Sequence, residues 1–254
     1  MAENSSPTMI EARGLSKFYG PFVAISDITF SIPRGQVVAF LGPNGAGKST
    51  TMKILTGFLS ASEGQALIAG VDVRTDRLKA VERLGYLPEN GPLYLDMTPM
   101  DLLKFFGEAR GLKGNKLKKR LDWVIDLCAL GQVVGKPIGK LSRGYRQRTG
   151  LAHSLLHDPD VLIMDEPTAG LDPNQIRDFR SHINKLGESK TILISTHILQ
   201  EAEAVAQRIL LVNSGKLMFD GTAAELKQNG SFEEAFYRLT DYGQSIGGGR
   251  GGRK

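Results

Sequence analysis

Only one cysteine, Cys128, occurs in this chain of 254 residues. That excludes an internal disulfide and a cysteine-based zinc cluster, so a reducing cytosol is the expected compartment and packing the expected job of Cys128, which falls in a helical pattern. No apolar run approaches the roughly 18 residues that a membrane-spanning helix requires. The opening Met1 to Thr8 also lacks the charged-then-apolar layout of a signal peptide. The chain is therefore expected to be soluble and to serve any membrane from outside the lipid. Self-similarity at a fixed period is absent, which removes repeat architectures. Excess positive charge is scarce as well: of the formal net charge of +5, three charges come from Arg250, Arg253 and Lys254 in a glycine-rich tail, leaving about +2 elsewhere. That is too little to argue for a nucleic-acid partner, and none is expected. With 41% hydrophobic and 23% charged residues, the composition is ordinary for one domain, with or without an inserted subdomain.

What is present is a glycine-rich stretch, Gly42-Pro43-Asn44-Gly45-Ala46-Gly47-Lys48-Ser49, which fits G-x-x-x-x-G-K-[ST] and follows the strand-like run Gln36 to Leu41. It reads as a phosphate cradle. Three glycines let the backbone turn back and aim successive N–H groups inward, Lys48 reaches the β- and γ-phosphates, and the Ser49 hydroxyl ligates Mg²⁺. A helix opening at Lys48, Ser49 and Thr50 adds the positive end of its dipole, and its apolar stripe (Met52, Ile54, Leu55, Phe58, Leu59) runs to about Leu59.

The remaining chain alternates in character. Ile10 to Phe30 reads as two strands joined at Tyr19-Gly20-Pro21, and Gln65 to Ile68 and Leu84 to Leu87 as short strands. From Pro88 to about His157 helical periodicity takes over: one helix is capped by Thr98 with Pro99 at its first position, a second carries Leu121, Val124, Ile125, Leu127 and Cys128, and a third starts at Ser142. Asp160 to Asp165 is then a continuous apolar run closing on a carboxylate, as a strand covered on both faces would be. Asp172-Pro173 caps another helix with Gln175 completing a capping box, Lys190 to Ser195 is a buried strand leading to His197, Gln200 to Val205 a helix, and Arg208 to Val212 with Lys216 to Phe219 a terminal hairpin. Parallel strands joined by helices place their carboxyl ends on one edge, where open α/β sheets bind ligands. The cradle, Asp165-Glu166 and His197 all fall there. An α/β class with an antiparallel β portion and a helical insertion follows.

With Leu141-Ser142-Arg143-Gly144-Tyr145 upstream of the Asp165-Glu166 strand, the chain resembles the ATP-binding subunit of ABC transporters from about residue 10 to 240, with five motifs in the family's order. The resemblance implies a P-loop NTPase of RecA-like, mostly parallel sheet, with one domain over residues 1–240, a helical subdomain at about 89–156 and a flexible end at 241–254. It implies ATP and Mg²⁺ as ligands and ATP hydrolysis as the reaction. Gly42, Pro43, Asn44, Gly45, Ala46, Gly47, Lys48, Ser49 and Thr50 hold the phosphates, and Tyr19 stacks on adenine, its other reading being a turn tyrosine packed at the sheet edge. Asp165 holds Mg²⁺ through water beside Ser49, Glu166 polarises the attacking water, and His197 contacts the γ-phosphate. Ser142 and Gly144 complete the γ-phosphate pocket of a second copy, and Asp172 faces the opposing site.

Two departures from the family pattern stand out. Arg143 and Tyr145 replace its usual glycine and glutamine, and Glu89 takes the place of a glutamine near the Mg²⁺. The implied partners are a second copy in an ATP sandwich and transmembrane permease subunits, contacted through Leu93 to Gly111, with the chain on the cytoplasmic face of the membrane. Tyr94 and Pro88-Glu89-Asn90 are similar to the subset driving ABC-2 type exporters, including those associated with gliding motility. The alternative is a soluble ABC-type ATPase acting on a nucleic-acid or ribosomal partner, which would bring a second such domain or long coiled coils. A guanine-nucleotide enzyme is a further rival, since Asn184-Lys185-Leu186-Gly187 begins like a guanine-reading motif but lacks its final aspartate. A non-enzymatic nucleotide-gated module is disfavoured by the intact Glu166. Lys116 to Arg120 reads as a solvated helix face rather than a membrane patch.

Overall fold

Two twelve-residue strands, β1 (Thr8–Tyr19) and β2 (Phe22–Pro33), pair antiparallel through the turn at Gly20 and Pro21, because each alternates apolar with polar residues and buries one face. The structure is a computed structural model describing residues 6–89, 91 and 93–245, and at 229 and in 241–245 the backbone only. β3 (Val37–Leu41) leads into α1 (Lys48–Leu55), and β4 (Glu63–Ile68) and β5 (Val71–Asp72) extend the antiparallel sheet in the order β2-β1-β4-β5. After α2 (Arg77–Glu82) and β6 (Leu84–Leu87) come three helices, α3 (Pro99–Ala109), α4 (Gly114–Leu127) and α5 (Arg143–Leu155). The chain then returns through β7 (Val161–Asp165), α6 (Pro173–Gly187), β8 (Thr191–Thr196), α7 (Leu199–Val205), β9 (Arg208–Asn213) and β10 (Lys216–Gly221), and closes with α8 (Ala223–Leu226) and α9 (Phe232–Ser245).

The second sheet has six strands in the order β10-β9-β3-β8-β7-β6, parallel throughout except for the β10–β9 hairpin. Its central strands are apolar on both faces for a structural reason. Val161, Ile163 and Leu193 point into the core shared with α1 and the antiparallel sheet, whereas Leu162, Met164, Ile192 and Ile194 point into the core of the helical layer, which holds Leu102, Val124, Cys128, Leu151, Leu155 and Ile183. Burial pushes the Cys128 thiol up to about 12, so this cysteine is a packing residue. At the other flank Ala39, Leu41, Ile209 and Leu211 pack against Ala202 of α7 and Leu226, Phe232 and Phe236.

Three expectations shift. α1 stops at Leu55, not Leu59, because Gly57 takes φ +70° in a glycine C-terminal stop and the Thr56 hydroxyl folds back onto the Met52 carbonyl at 2.8 Å, so Phe58 ends up solvent-exposed. The β9–β10 hairpin is not terminal, since α8 and α9 follow it and seal the third core. The basic run on α4 is partly structural: the Arg120 guanidinium lies 4.3 Å from the Trp123 ring and donates to the carbonyls of Leu155 and Leu156, while Lys116, Lys118 and Lys119 are exposed.

Candidate functional site

The parallel register aligns three strand ends. Leu41 lies opposite Thr196 and Asp165 opposite Ser195, so the loop after β3, the acids after β7 and the histidine after β8 emerge side by side. The Gly42 N–H donates to the Thr196 carbonyl at 3.3 Å, tying the loop to that edge.

Two glycines of the loop are required by contact. A Cβ at Gly42 would sit 2.3 Å from the Val212 carbonyl of β9, and one at Gly47 would sit 2.5 Å from the Ile25 side chain, at a φ of +98° that already disfavours any other residue. Gly47 is also the N-cap of α1 and has no side chain to cap it, so the first-turn N–H groups have no side-chain acceptor. Such a helix start is an anion seat.

Lys48 is buried at 6% exposure and donates to the carbonyls of Gly42 (2.9 Å) and Pro43 (3.2 Å), with the Glu166 carboxylate 3.2 Å away. Glu166 is 8% exposed and takes φ +47°, a left-handed conformation that costs a non-glycine residue about 1–3 kcal/mol and concentrates at functional positions. Its N–H is held twice by Ser195, through the hydroxyl at 3.0 Å and the carbonyl at 3.2 Å, and its Oε2 meets His197 Nδ1 at 2.8 Å. The same Ser195 hydroxyl donates to Asp165 Oδ1 at 2.5 Å. One serine thus fixes the side chain of the first acid and the backbone of the second.

Lys48, Glu166 and His197 line a cleft of about 400 Å³ together with Phe22, Ala24, Asn44, Gly45, Gly47, Ser49, Thr50, Glu89 and Ala169, while Gly42, Pro43 and Ala46 of the loop do not. Asp165 is buried just beneath it at 3% exposure. Phe22 was not singled out from sequence. It is 64% exposed and pairs across the hairpin end with Tyr19, which is half exposed, has Lys17 Nζ 5.3 Å from its ring centroid and does not line the cleft. The alternating apolar pattern of β2, which begins on an exposed phenylalanine beside a turn, was the available signal.

Ser142, Gly144 and Asp172 are not brought into this cleft. Ser142 caps α5, accepting from the Tyr145 N–H at 3.4 Å, and Asp172 caps α6 in a full capping box with Gln175. The two helix starts abut. A Cβ at Gly144 would meet the Gln175 amide at 2.6 Å, and one at Gly170 would meet the Arg143 guanidinium at 2.5 Å. Of the segment Pro88-Glu89-Asn90, Asn90 lies outside the described residues, as does the tail from 246 to 254.

A glycine loop opening a helix, a buried lysine, and an acid pair closed by a histidine form the layout of a nucleoside-triphosphate site, and comparison with known proteins agrees. The family model for ABC transporter matches residues 25–169. The chain belongs to the ABC transporter family. It is 40% identical over 228 residues to the probable multidrug ABC transporter ATP-binding protein YbhF of Escherichia coli, a match spanning 89% of this chain and 39% of that protein. To the Nod factor export ATP-binding protein I of Ralstonia nicotianae it is 35% identical, over 87% of this chain and 69% of that protein. A solved ATP-binding subunit of an ABC transporter superposes with a TM-score of 0.83 at 29% identity, covering 91% of this chain and 99% of that one. The expected α/β, P-loop fold is the fold of this ABC cassette. No helix among the described residues is long and apolar enough to cross a membrane.

Proposed function

We propose that this chain is the ATP-hydrolysing subunit of an ABC-2 type exporter, acting as a pair of copies that clasp two ATP molecules and move separate transmembrane subunits. The observation that carries the reading is the closed polar cluster at three adjoining strand ends, Lys48–Glu166–His197, set beside an uncapped helix start.

The residues fit the chemistry. Gly42 and Gly47 let the loop pack directly against Val212 and Ile25, where any Cβ would clash, which fixes the shape of the cradle, and Ser49, Asp165 and Glu89 supply oxygen donors of the kind Mg²⁺ prefers. When bound, that ion neutralises charge on the phosphates. Lys48 trades the Gly42 and Pro43 carbonyls for phosphate oxygens as its acceptors, which frees the Glu166 carboxylate to accept a proton from the attacking water. His197 fixes the Glu166 rotamer through Oε2. Phe22 and Tyr19, side by side at the hairpin end, offer π faces to the base. Ser142 and Gly144 serve the γ-phosphate of the second copy, and Asp172 faces that copy. Residues 1–240 form one ABC domain carrying the helical subdomain at about 89–156.

Permease contact is assigned to a groove of about 730 Å³ between the helical layer and the core, floored by Leu84, Tyr86 and Leu87, with Phe58 and Arg77 on one wall and Phe106 and Arg110 on the other. Arg77, Arg110 and Arg143 line it without an ion-pair partner among the described residues, so the docking segment is apolar with acidic residues at its margin. Glu89 lines both this groove and the nucleotide cleft, which supports a role in coupling them. The export assignment draws on the named role of the Nod factor relative. The test is co-purification with a six-helix membrane protein encoded in a neighbouring reading frame. ATP-stimulated retention of that protein supports the reading, and association with ribosomes or DNA instead would overturn it.

A further inference from the structure

Glu201, on α7, is buried at 7% exposure, and its Oε2 accepts from two hydroxyls, Thr168 at 2.5 Å and Thr196 at 3.1 Å. Thr168 lies two residues beyond Glu166, and Thr196 immediately precedes His197. The Thr196 hydroxyl also accepts from the Ile198 N–H at 3.1 Å, so it pins the turn that carries His197. Glu166 and His197 are thereby linked twice: directly at 2.8 Å, and from behind through Thr168, Glu201 and Thr196.

This carboxylate is an expensive way to fill the space. Its Oε1 is buried with no hydrogen-bond partner in the protein, and Arg180, which lines the same small cavity, donates to the Gln200 carbonyl at 3.4 Å rather than pairing with it. A buried acid with half its acceptors unused is less stable than a leucine of similar volume, and such local costs gather where function requires them.

We propose that Glu201 is a positioning residue for hydrolysis, a buried clamp that holds the segment after Glu166 and the segment before His197 at one spacing. The inference rests on the roles given above to Glu166 and His197. Glu201 does not line the nucleotide cleft and acts only through Thr168 and Thr196. Removing it lets the Glu166–His197 pair drift from its 2.8 Å contact while the cradle around Lys48, built by different elements, keeps its grip on the nucleotide.

The experiment compares Glu201→Leu, the isosteric Glu201→Gln and Thr168→Val in the full chain, reading ATPase kcat, KM for ATP, melting temperature, and the imidazole resonances of the four histidines. The expected result is a kcat loss of about tenfold or more for Glu201→Leu and a smaller loss for Glu201→Gln, with KM within about twofold. The His197 resonance moves in both, while those of His153, His157 and His182 stay in place. Retention of parental kcat by Glu201→Leu would overturn the proposal, as would a rate loss that follows melting temperature with all four resonances moving together. If Glu166→Gln and His197→Ala themselves keep full turnover, the catalytic assignment fails instead, and the two failures are told apart by those controls.

Discussion

The nucleotide cleft and the groove beside it are built by opposite means. The cleft is the smaller, about 400 Å³ against 730 Å³, and every group in it that carries chemistry hangs from a strand end or a helix start. The groove is wide, apolar on its floor and cationic at its rim, and it lies between two layers whose cores are separate. On the proposed reading, size therefore says little about where the reaction occurs. Hydrolysis needs a few preorganised polar groups in a tight space, whereas docking another protein needs area and a matched charge. Glu89 is the acid the two regions share.

If the comparison is right, each region can be disabled without the other. The largest effect is expected at the cleft: Glu166→Gln should lower turnover about a thousandfold in a phosphate-release assay, in the range usual for a lost general base, with permease association unchanged. Lys48→Ala should weaken ATP binding by roughly a hundredfold in calorimetry, since a buried ammonium facing phosphates contributes on the order of 3 kcal/mol. Unaltered affinity would remove the cradle assignment. Next comes the groove. The pair Arg77→Glu with Arg110→Glu should cut permease co-elution about tenfold or more and leave the ATPase rate of the isolated chain within twofold. A parallel loss of both would show that the regions are not separable. Smaller again is the base contact: Phe22→Ala and Tyr19→Ala should each weaken ATP by about five- to tenfold, from roughly 1 kcal/mol of lost stacking. An effect of Phe22→Ala alone would favour the edge-packing reading of Tyr19.

A separate prediction, read in stability rather than binding, concerns His153, which lines the groove, and His157, whose ring meets the Leu84 carbonyl of its floor. Burial, then the nearby Arg110 charge, lowers the pKa of His153 and His157 from 6.5 to about 4. Below pH 6.5 the unfolded chain binds protons that the folded one refuses. Stability is therefore complete above that pH and declines towards pH 4, by up to about 3 kcal/mol for each ring. Melting temperature should fall by roughly 10 °C or more between pH 7 and 4.5, less so in His153→Gln. A flat profile would contradict the buried, neutral state of these rings.

The cleft was largely legible in the sequence, because its residues sit at fixed offsets from strands that announce themselves by continuous apolar runs. The groove was legible on one side only: Leu93, Leu95, Phe106 and Arg110 fall in the segment Leu93 to Gly111 singled out from sequence. Its other wall comes from Phe58, which the helix pattern placed in an apolar stripe and Gly57 turned outwards, and from α2, whose Asp76 N-cap opens only six residues of helix. Glu201 was equally hidden. Nothing in a helix containing Gln200-Glu201-Ala202 marks one acid as buried until β8 and the turn after Glu166 close over it. Phe22 escaped notice because exposure beside a turn is ordinary for one aromatic, and only the folded hairpin puts it at the cleft mouth. α9, which buries Phe232 and Phe236, was overlooked although its start was marked: Ser231 and Glu234 form a capping box, the Glu234 N–H donating to the Ser231 hydroxyl at 3.1 Å and the Ser231 N–H to the Glu234 carboxylate at 2.9 Å.

The central claim is that the cradle of one copy and the Ser142 helix start of another hold the same triphosphate. Sedimentation velocity of Glu166→Gln with and without Mg-ATP tests it most directly. The account predicts a dimer only with nucleotide, and a monomer that still binds ATP when Ser142→Arg is added. A nucleotide-loaded Glu166→Gln that stays monomeric, or a Ser142→Arg variant that dimerises as well as its parent, would contradict it.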